Sequence, residues 1–207
     1  MIWVGLTGGI ASGKSTVSRT LKEEKAFIVD ADRIVHDLLH SNTQVIDSII
    51  EVFGKEVLDP SGSIDRKQLG DIVFRNEKQR LLLNRIVHPH VFEKAESKKK
   101  NIIKKHPNAV IVFDAALLIE TKAHQKMDWV LLAYVDPATQ ISRLMHRDRL
   151  SKDEAILKIK AQIPIDEKIP WADEVIDCRK PLQDLKVDVH RIYLRLQKRA
   201  QSNLLGQ

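Results

Sequence analysis

Cysteine is almost missing from this chain. Cys178 is the only one in 207 residues, so no internal disulfide can form, and a reducing compartment, the cytoplasm, is expected. No apolar run approaches the roughly 18 to 20 residues that span a bilayer. The N-terminus lacks a basic segment followed by an apolar stretch, so no signal peptide is expected. No third histidine and no cysteine stands near His88-Pro89-His90. The proline between the two histidines predicts an extended or turn geometry rather than a helical ligand pair, and a metal site is not expected there. The lysine run from Lys94 to Lys105 contains no arginine and no aromatic. It therefore lacks the groups that read base edges and stack on bases, and a solvated helix face is the simpler reading than a nucleic-acid patch. No internal repeat and no low-complexity segment is present.

What is there suits one domain with room for an inserted subdomain. Hydrophobic residues make up 43% of the chain, enough for a core and too many for disorder. The net charge of +6 suits an anionic partner without choosing among nucleotide, nucleic acid and membrane surface.

The most informative stretch is Gly8-Gly9-Ile10-Ala11-Ser12-Gly13-Lys14-Ser15, which fits G-x-x-x-x-G-K-[ST]. Its flanks fit as well. Ile2 to Leu6 reads as a short buried strand, and Thr16 to Lys25 as a helix with Val17 and Leu21 on one face. Strand, glycine loop and helix together predict a phosphate-binding loop. The glycines let backbone N–H groups converge on phosphate oxygens, and the helix N-terminus adds its dipole. Lys14 is expected to reach the β- and γ-phosphates, and the Ser15 hydroxyl to hold Mg²⁺.

Further strands are predicted at Ala26 to Val29, Ala109 to Phe113, Trp129 to Val135 and Glu174 to Asp177. Asp30 and Asp32 follow the second strand, where one acid can cap a helix while the other does chemistry. Asp114 ends the third, where it can stand near Mg²⁺ or its waters, or be an ordinary strand-end acid. Apolar residues at helical spacing in Ile34 to Leu39, Val45 to Phe53, Leu69 to Phe74 and Leu81 to Phe92 predict a helix-only block, with Ser63 a candidate cap for the helix near Asp65. This block reads as a lobe inserted over the sheet edge. Arg143 and Arg147 lie four apart on one helix. With the helix from Lys152 to Gln162 they read either as a lid closing cations over phosphates or as solvated faces. A long amphipathic helix is predicted from Leu182 to Leu205.

A phosphate loop implies a nucleoside triphosphate and leaves the reaction open. No Asn-Lys dipeptide occurs, so the guanine-reading element of a GTPase is absent. The small size, helical insert and arginine-bearing lid suit a small-molecule kinase, which works by positioning substrates and neutralising charge.

In order along the chain, several pieces resemble the dephospho-coenzyme A kinase family over nearly the whole length. They are Gly5 to Ile10 with Lys14-Ser15-Thr16; Val29-Asp30-Ala31-Asp32 with Ile34 and His36; Ile64-Asp65-Arg66 with Leu69, Val73 and Phe74; and Asn84, Val87, His88, Pro89 and Val91. Leu117, Leu118 and Glu120 follow, then Arg143, Leu144, Arg147, Leu150, Ser151, Ala155, Gln162, Pro164 and Lys168. Ala172-Asp173 with Val175, Ile176 and Asp177 ends the series. The chain departs from the family pattern at Ala11, Ala116, Lys158 and Cys178.

The resemblance implies ATP-dependent phosphorylation of the ribose 3′-hydroxyl of dephospho-CoA, by a cytoplasmic enzyme with small-molecule substrates and neither nucleic-acid nor membrane partners. The alternatives are a kinase of another small acceptor, such as a nucleoside monophosphate, or a nucleotide-dependent nucleic-acid-binding protein. The implied fold is a three-layer α/β P-loop kinase with a five-stranded parallel sheet. Its core would comprise residues 1–33, 108–140 and 172–207, with a substrate-binding helical insert at about 34–107 and a helical lid at about 141–171. ATP would be held by Gly9, Ile10, Ala11, Ser12, Gly13, Lys14, Ser15 and Thr16 with Arg143 and Arg147. Asp32 would act as base, and Lys14 with Arg143 would stabilise the phosphoryl group in flight. Dephospho-CoA would contact Asp32, Arg66, His88 and Leu117. Mg²⁺ would sit on Ser15, with Asp114 reaching it through water.

Overall fold

The run that ends in the glycine loop forms the middle strand of the sheet. The computed structural model describes residues 1–205, without the side chains of 74, 75 and 203–205. The predicted helix position of Phe74 is therefore described for its backbone alone, and residues 206 and 207 lie outside the described residues. Strands β1 (Ile2–Gly8), β2 (Phe27–Asp30), β3 (Val110–Asp114), β4 (Trp129–Tyr134) and β5 (Glu174–Asp177) make a parallel sheet in the order β2-β3-β1-β4-β5. Every residue of β1 and β3 is buried, as parallel strands covered on both faces require. Leu6 stands opposite Asp114 and Gly8 opposite Ala133, so the loop after β1 and the acid ending β3 leave from one carboxyl edge. The sheet reverses its strand order beside β1, which is where ligands bind in open α/β sheets.

By its own packing the chain divides into two units, Met1–Val29 with the chain from Lys99 onward, and Asp30–Lys98. In the first, alternation sends Ile2, Val4 and Leu6 to one face. There they pack with Val17 and Leu21 of α1 (Lys14–Glu23) and with Leu185, Val189, Ile192 and Leu196 of α8 (Leu182–Leu205). Full burial of each such side chain contributes about 1.5–3 kcal/mol. Trp3 points the other way, with its ring 5.6 Å from that of Phe113 and the Lys99 ammonium 5.1 Å above it.

The second unit carries the helix-only block: α2 (Ala31–Ser41), α3 (Thr43–Phe53), α4 (Arg66–Arg75) and most of α5 (Glu77–Lys105). Its helices begin at acceptors that bind their orphan N–H groups. The Asp30 carboxylate accepts from the Arg33 amide at 3.0 Å and Asn42 from Val45 at 3.0 Å. Asp30 is thus the cap and Asp32 the first-turn acid. The cap of α4 is Asp65, which accepts from Lys67 at 2.9 Å and Gln68 at 3.1 Å. It is not Ser63, whose amide instead binds the Asp59 carboxylate at 3.1 Å in the preceding turn.

The His88-Pro89-His90 expectation of an extended or turn geometry is overturned. Pro89 lies inside α5, and the helix runs through it. Proline removes one intrahelical bond, to the carbonyl of Arg85. Arg85 and Pro89 are both exposed, so the interrupted bond lies on a solvent-facing side of the helix. The lysine run lies on the same helix, with Lys94, Lys98, Lys100, Lys104 and Lys105 exposed.

Candidate active site

The glycine loop is a tight turn followed by a helix N-terminus. The Ser12 amide donates to Gly9 O at 3.1 Å, and Thr16 and Val17 donate to Gly13 O at 2.9 and 3.3 Å. Gly13 sits at φ 94°, where glycine alone is unstrained, and a Cβ there would come within 3.0 Å of Cys178 Cβ. Ala11 also has positive φ, 59°. This departure from glycine is accommodated at a cost of about 1 kcal/mol. Among the described residues the amides of Ala11, Gly13, Lys14 and Ser15 have no protein acceptor. The Ser12 hydroxyl is buried, likewise without a partner. A cluster of orphan N–H groups at a helix N-terminus has the chemistry of an anion site.

Lys14 Nζ pairs with Asp114 Oδ1, and Asp114 is only 6% exposed. Strand register produces this pair, because β1 and β3 end side by side. Arg143 on α6 (Pro137–Asp148) donates from Nη2 to the Cys178 carbonyl at 2.8 Å, which fixes its guanidinium near Gly13. The hold uses a backbone oxygen, so the Cys178 departure leaves it intact. The Cys178 thiol itself is buried, and burial pushes its pKa up to about 11, so it stays neutral. Ser15 is exposed at the start of α1. Arg147 is exposed and binds Asp148 at 2.7 and 3.2 Å, with Lys158 of α7 (Lys152–Lys160) 3.6 Å from the same carboxylate. Leu117, half-buried after β3, accepts from the Thr121 amide at 3.0 Å through its carbonyl.

The first unit therefore brings together the loop, Lys14, Asp114, Arg143 and Cys178. Asp32, Arg66 and His88 belong to the second. Asp32 and Arg66 are exposed in the first turns of α2 and α4. His88 is half-buried on α5, and burial holds its imidazole below the ordinary histidine pKa.

Sequence reasoning missed two features. Ile10 is held by two glutamines: its amide donates to Gln162 Oε1 at 2.8 Å, and its carbonyl accepts from Gln140 Nε2 at 2.8 Å. The available signal was Gln140 itself, an uncharged polar residue four before the buried Leu144 and so on the inner face of α6. The second is a buried ion pair. Lys168 is 0% exposed, lies 2.6 Å from Glu120 Oε1 and donates to the Ala116 carbonyl at 3.2 Å. Glu120 also accepts from the Ile163 amide at 3.1 Å. The Ala116 carbonyl also takes the Thr7 hydroxyl at 3.1 Å. This role uses only a backbone oxygen, so the Ala116 departure leaves it intact. Replacing Lys168 by methionine keeps the volume but strands the Glu120 charge. Urea unfolding should register a loss of about 3 kcal/mol, partly recovered when Glu120→Gln is added.

A parallel sheet with a phosphate loop leaving its middle strand, and a lysine and an acid at the adjoining strand ends, defines a P-loop fold. Shikimate kinase from Bacteroides thetaiotaomicron shares that fold, at TM-score 0.52 and 13% identity over 95% of this chain and 98% of its own. The family model for dephospho-CoA kinase matches residues 2–184, and the chain belongs to that family. It is 43% identical over 189 residues to a dephospho-CoA kinase of Bacillus thuringiensis subsp. konkukian, covering 91% of this chain and 94% of the relative. The solved dephospho-CoA kinase from Campylobacter jejuni is 27% identical, with TM-score 0.71 over 95% of this chain and 97% of its own.

Proposed function

We propose that this protein transfers the γ-phosphoryl group of ATP to the ribose 3′-hydroxyl of dephospho-CoA, giving CoA and ADP. The observation that carries the donor half is the set of unpartnered loop amides beside the Lys14–Asp114 pair. Membership of the family over residues 2–184 supports the acceptor half. In the step, the 3′-oxygen bonds to the γ-phosphorus, the bond from that phosphorus to the β–γ bridging oxygen breaks, and the hydroxyl proton passes to Asp32. The loop from Gly9 to Thr16 forms the cradle, and its unpartnered amides, those of Ala11, Gly13, Lys14 and Ser15, donate to the phosphates. Lys14 and Arg143, with Arg147, offset the charge on the group in transfer. Arg66, His88 and Leu117 contact dephospho-CoA.

The donor set fits Mg²⁺, which is held by few protein oxygens together with substrate phosphates. Among the described residues no group of three or more His, Cys, Asp or Glu is gathered for a metal. The Ser15 hydroxyl would hold the ion, with Asp114 through water, and it would neutralise phosphate charge. No helix among the described residues is long and apolar enough to cross a membrane, and the single cysteine suits the cytoplasm.

An acceptor panel with ATP and Mg²⁺ tests the reading. Dephospho-CoA is expected to gain one phosphate, at the 3′ position, with one ADP released. A higher kcat/KM for a nucleoside monophosphate would replace the acceptor. Salt-sensitive DNA or RNA binding without transfer to dephospho-CoA would move the reading to the lysine run of α5.

A further inference from the structure

The turn from Gly9 to Ser12 carries a specific strain. It closes by the Ser12 amide on the Gly9 carbonyl, with Ala11 third in the turn at φ 59°. Positive φ at that position is the type II arrangement, which glycine favours and alanine resists. The alternative, type I, turns the peptide between Ile10 and Ala11 over and returns Ala11 to negative φ. The two forms differ in what they offer a phosphate. In a trans peptide the C=O and the N–H point in opposite directions. With the Ile10 carbonyl held by Gln140, the Ala11 N–H points away from Gln140 and has no protein acceptor among the described residues. Turning the peptide over would withdraw that donor and present a carbonyl in its place.

We infer that Gln140 and Gln162 are positioning residues that lock the phosphate loop in its donor-presenting form, against the preference of Ala11. Gln140 is 2% exposed and stands in the first turn of α6, and Gln162 follows the last turn of α7. The two feet of the helix pair thus grip one loop residue from both sides. The grip is close: a Cβ at Gly9 would run into the Gln140 amide nitrogen and push it off the Ile10 carbonyl. The two glutamines have different jobs. Gln140 must donate, to a carbonyl. Gln162 must accept, from an amide. Loop geometry is thereby tied to the helices that carry Arg143, so displacing that pair loosens the cradle as it removes the cation.

This inference rests on the kinase reading, and its test separates the two. ATP affinity is measured by calorimetry without any acceptor, and kcat and KM for ATP are measured with dephospho-CoA. Gln140→Leu should weaken ATP by about tenfold, the effect of one net hydrogen bond, and raise KM more than it lowers kcat. Gln140→Glu should weaken it at least as much, because a carboxylate faces the Ile10 carbonyl. Gln162→Glu still accepts from the Ile10 amide, so despite its added charge it should bind ATP more tightly than Gln162→Leu does. The sharpest arm is the double variant Ala11→Gly with Gln140→Leu. Glycine removes the penalty of positive φ, so ATP affinity should return to within about threefold of the parent, a recovery of most of that one hydrogen bond. A packing role alone would give a lowered melting temperature that Ala11→Gly does not repair, and would overturn the inference. Parent-like ATP affinity in both leucine variants would overturn it as well. Should Gln140→Leu not fold, the half-buried Gln162 pair of variants decides the question. A parent that binds ATP but leaves dephospho-CoA unphosphorylated overturns the acceptor assignment alone, and one that binds no ATP overturns both.

Discussion

Asp32→Asn should slow phosphate transfer to dephospho-CoA by about 10²–10⁴-fold, the contribution typical of a positioned general base, while ATP binding survives. Asp32 lies in the first turn of α2 and is exposed. Asparagine keeps the shape and removes the proton acceptor. The cap of the helix is Asp30, so the substitution leaves the helix start intact. Asp30→Asn is the matching control: asparagine caps as well as aspartate, and little change in stability is expected. Single-turnover transfer and ATP calorimetry on the two variants make the comparison. A rate near the parent's in Asp32→Asn would remove Asp32 from the role of base.

Lys14→Ala should cost about 3–4 kcal/mol of transition-state stabilisation, a drop of about 10²–10³-fold in kcat, with weaker ATP binding besides. The structure adds a second effect. Asp114 is buried against Lys14, so the truncation also leaves a buried carboxylate without its cation. The variant should therefore unfold at lower urea concentration even without nucleotide, and Lys14→Ala with Asp114→Asn should recover stability without recovering kcat. Unchanged kcat/KM in a folded Lys14→Ala would exclude Lys14 from the mechanism. The two variants separate cleanly, since Asp32 is assigned to the acceptor and Lys14 to the donor.

Much of this molecule was legible one segment at a time. The five strands, the helix-only block and the long C-terminal helix follow from apolar spacing, because burial of one face has a period that the chain itself displays. The glycine loop was legible for the same reason: its glycines, lysine and serine act within eight consecutive residues. Local rules failed where the surroundings of a residue decided. Pro89 was read as favouring an extended or turn geometry, yet it sits on an exposed side of a helix that runs through it. At α4 two neighbouring residues offered caps. The turn around Asp59 occupies the Ser63 amide and leaves Asp65 to begin the helix.

The sequence by itself determined that the protein builds a parallel sheet with a phosphate loop after its first strand. It also determined which acids and cations were available to serve that loop, and the family whose pattern they follow. Only the tertiary structure decided how those groups are held. Lys14 meets Asp114 across a separation of 100 residues, and Ile10 meets Gln140 and Gln162 across 130 and 152. A side chain's donors and acceptors can be read from its identity, but its partner depends on which segments the sheet order brings together. That order is set by the packing of the whole core, so the segment shows only that Gln140 faces inward, and neither its partner Ile10 nor the burial of Lys168 against Glu120 can be read locally.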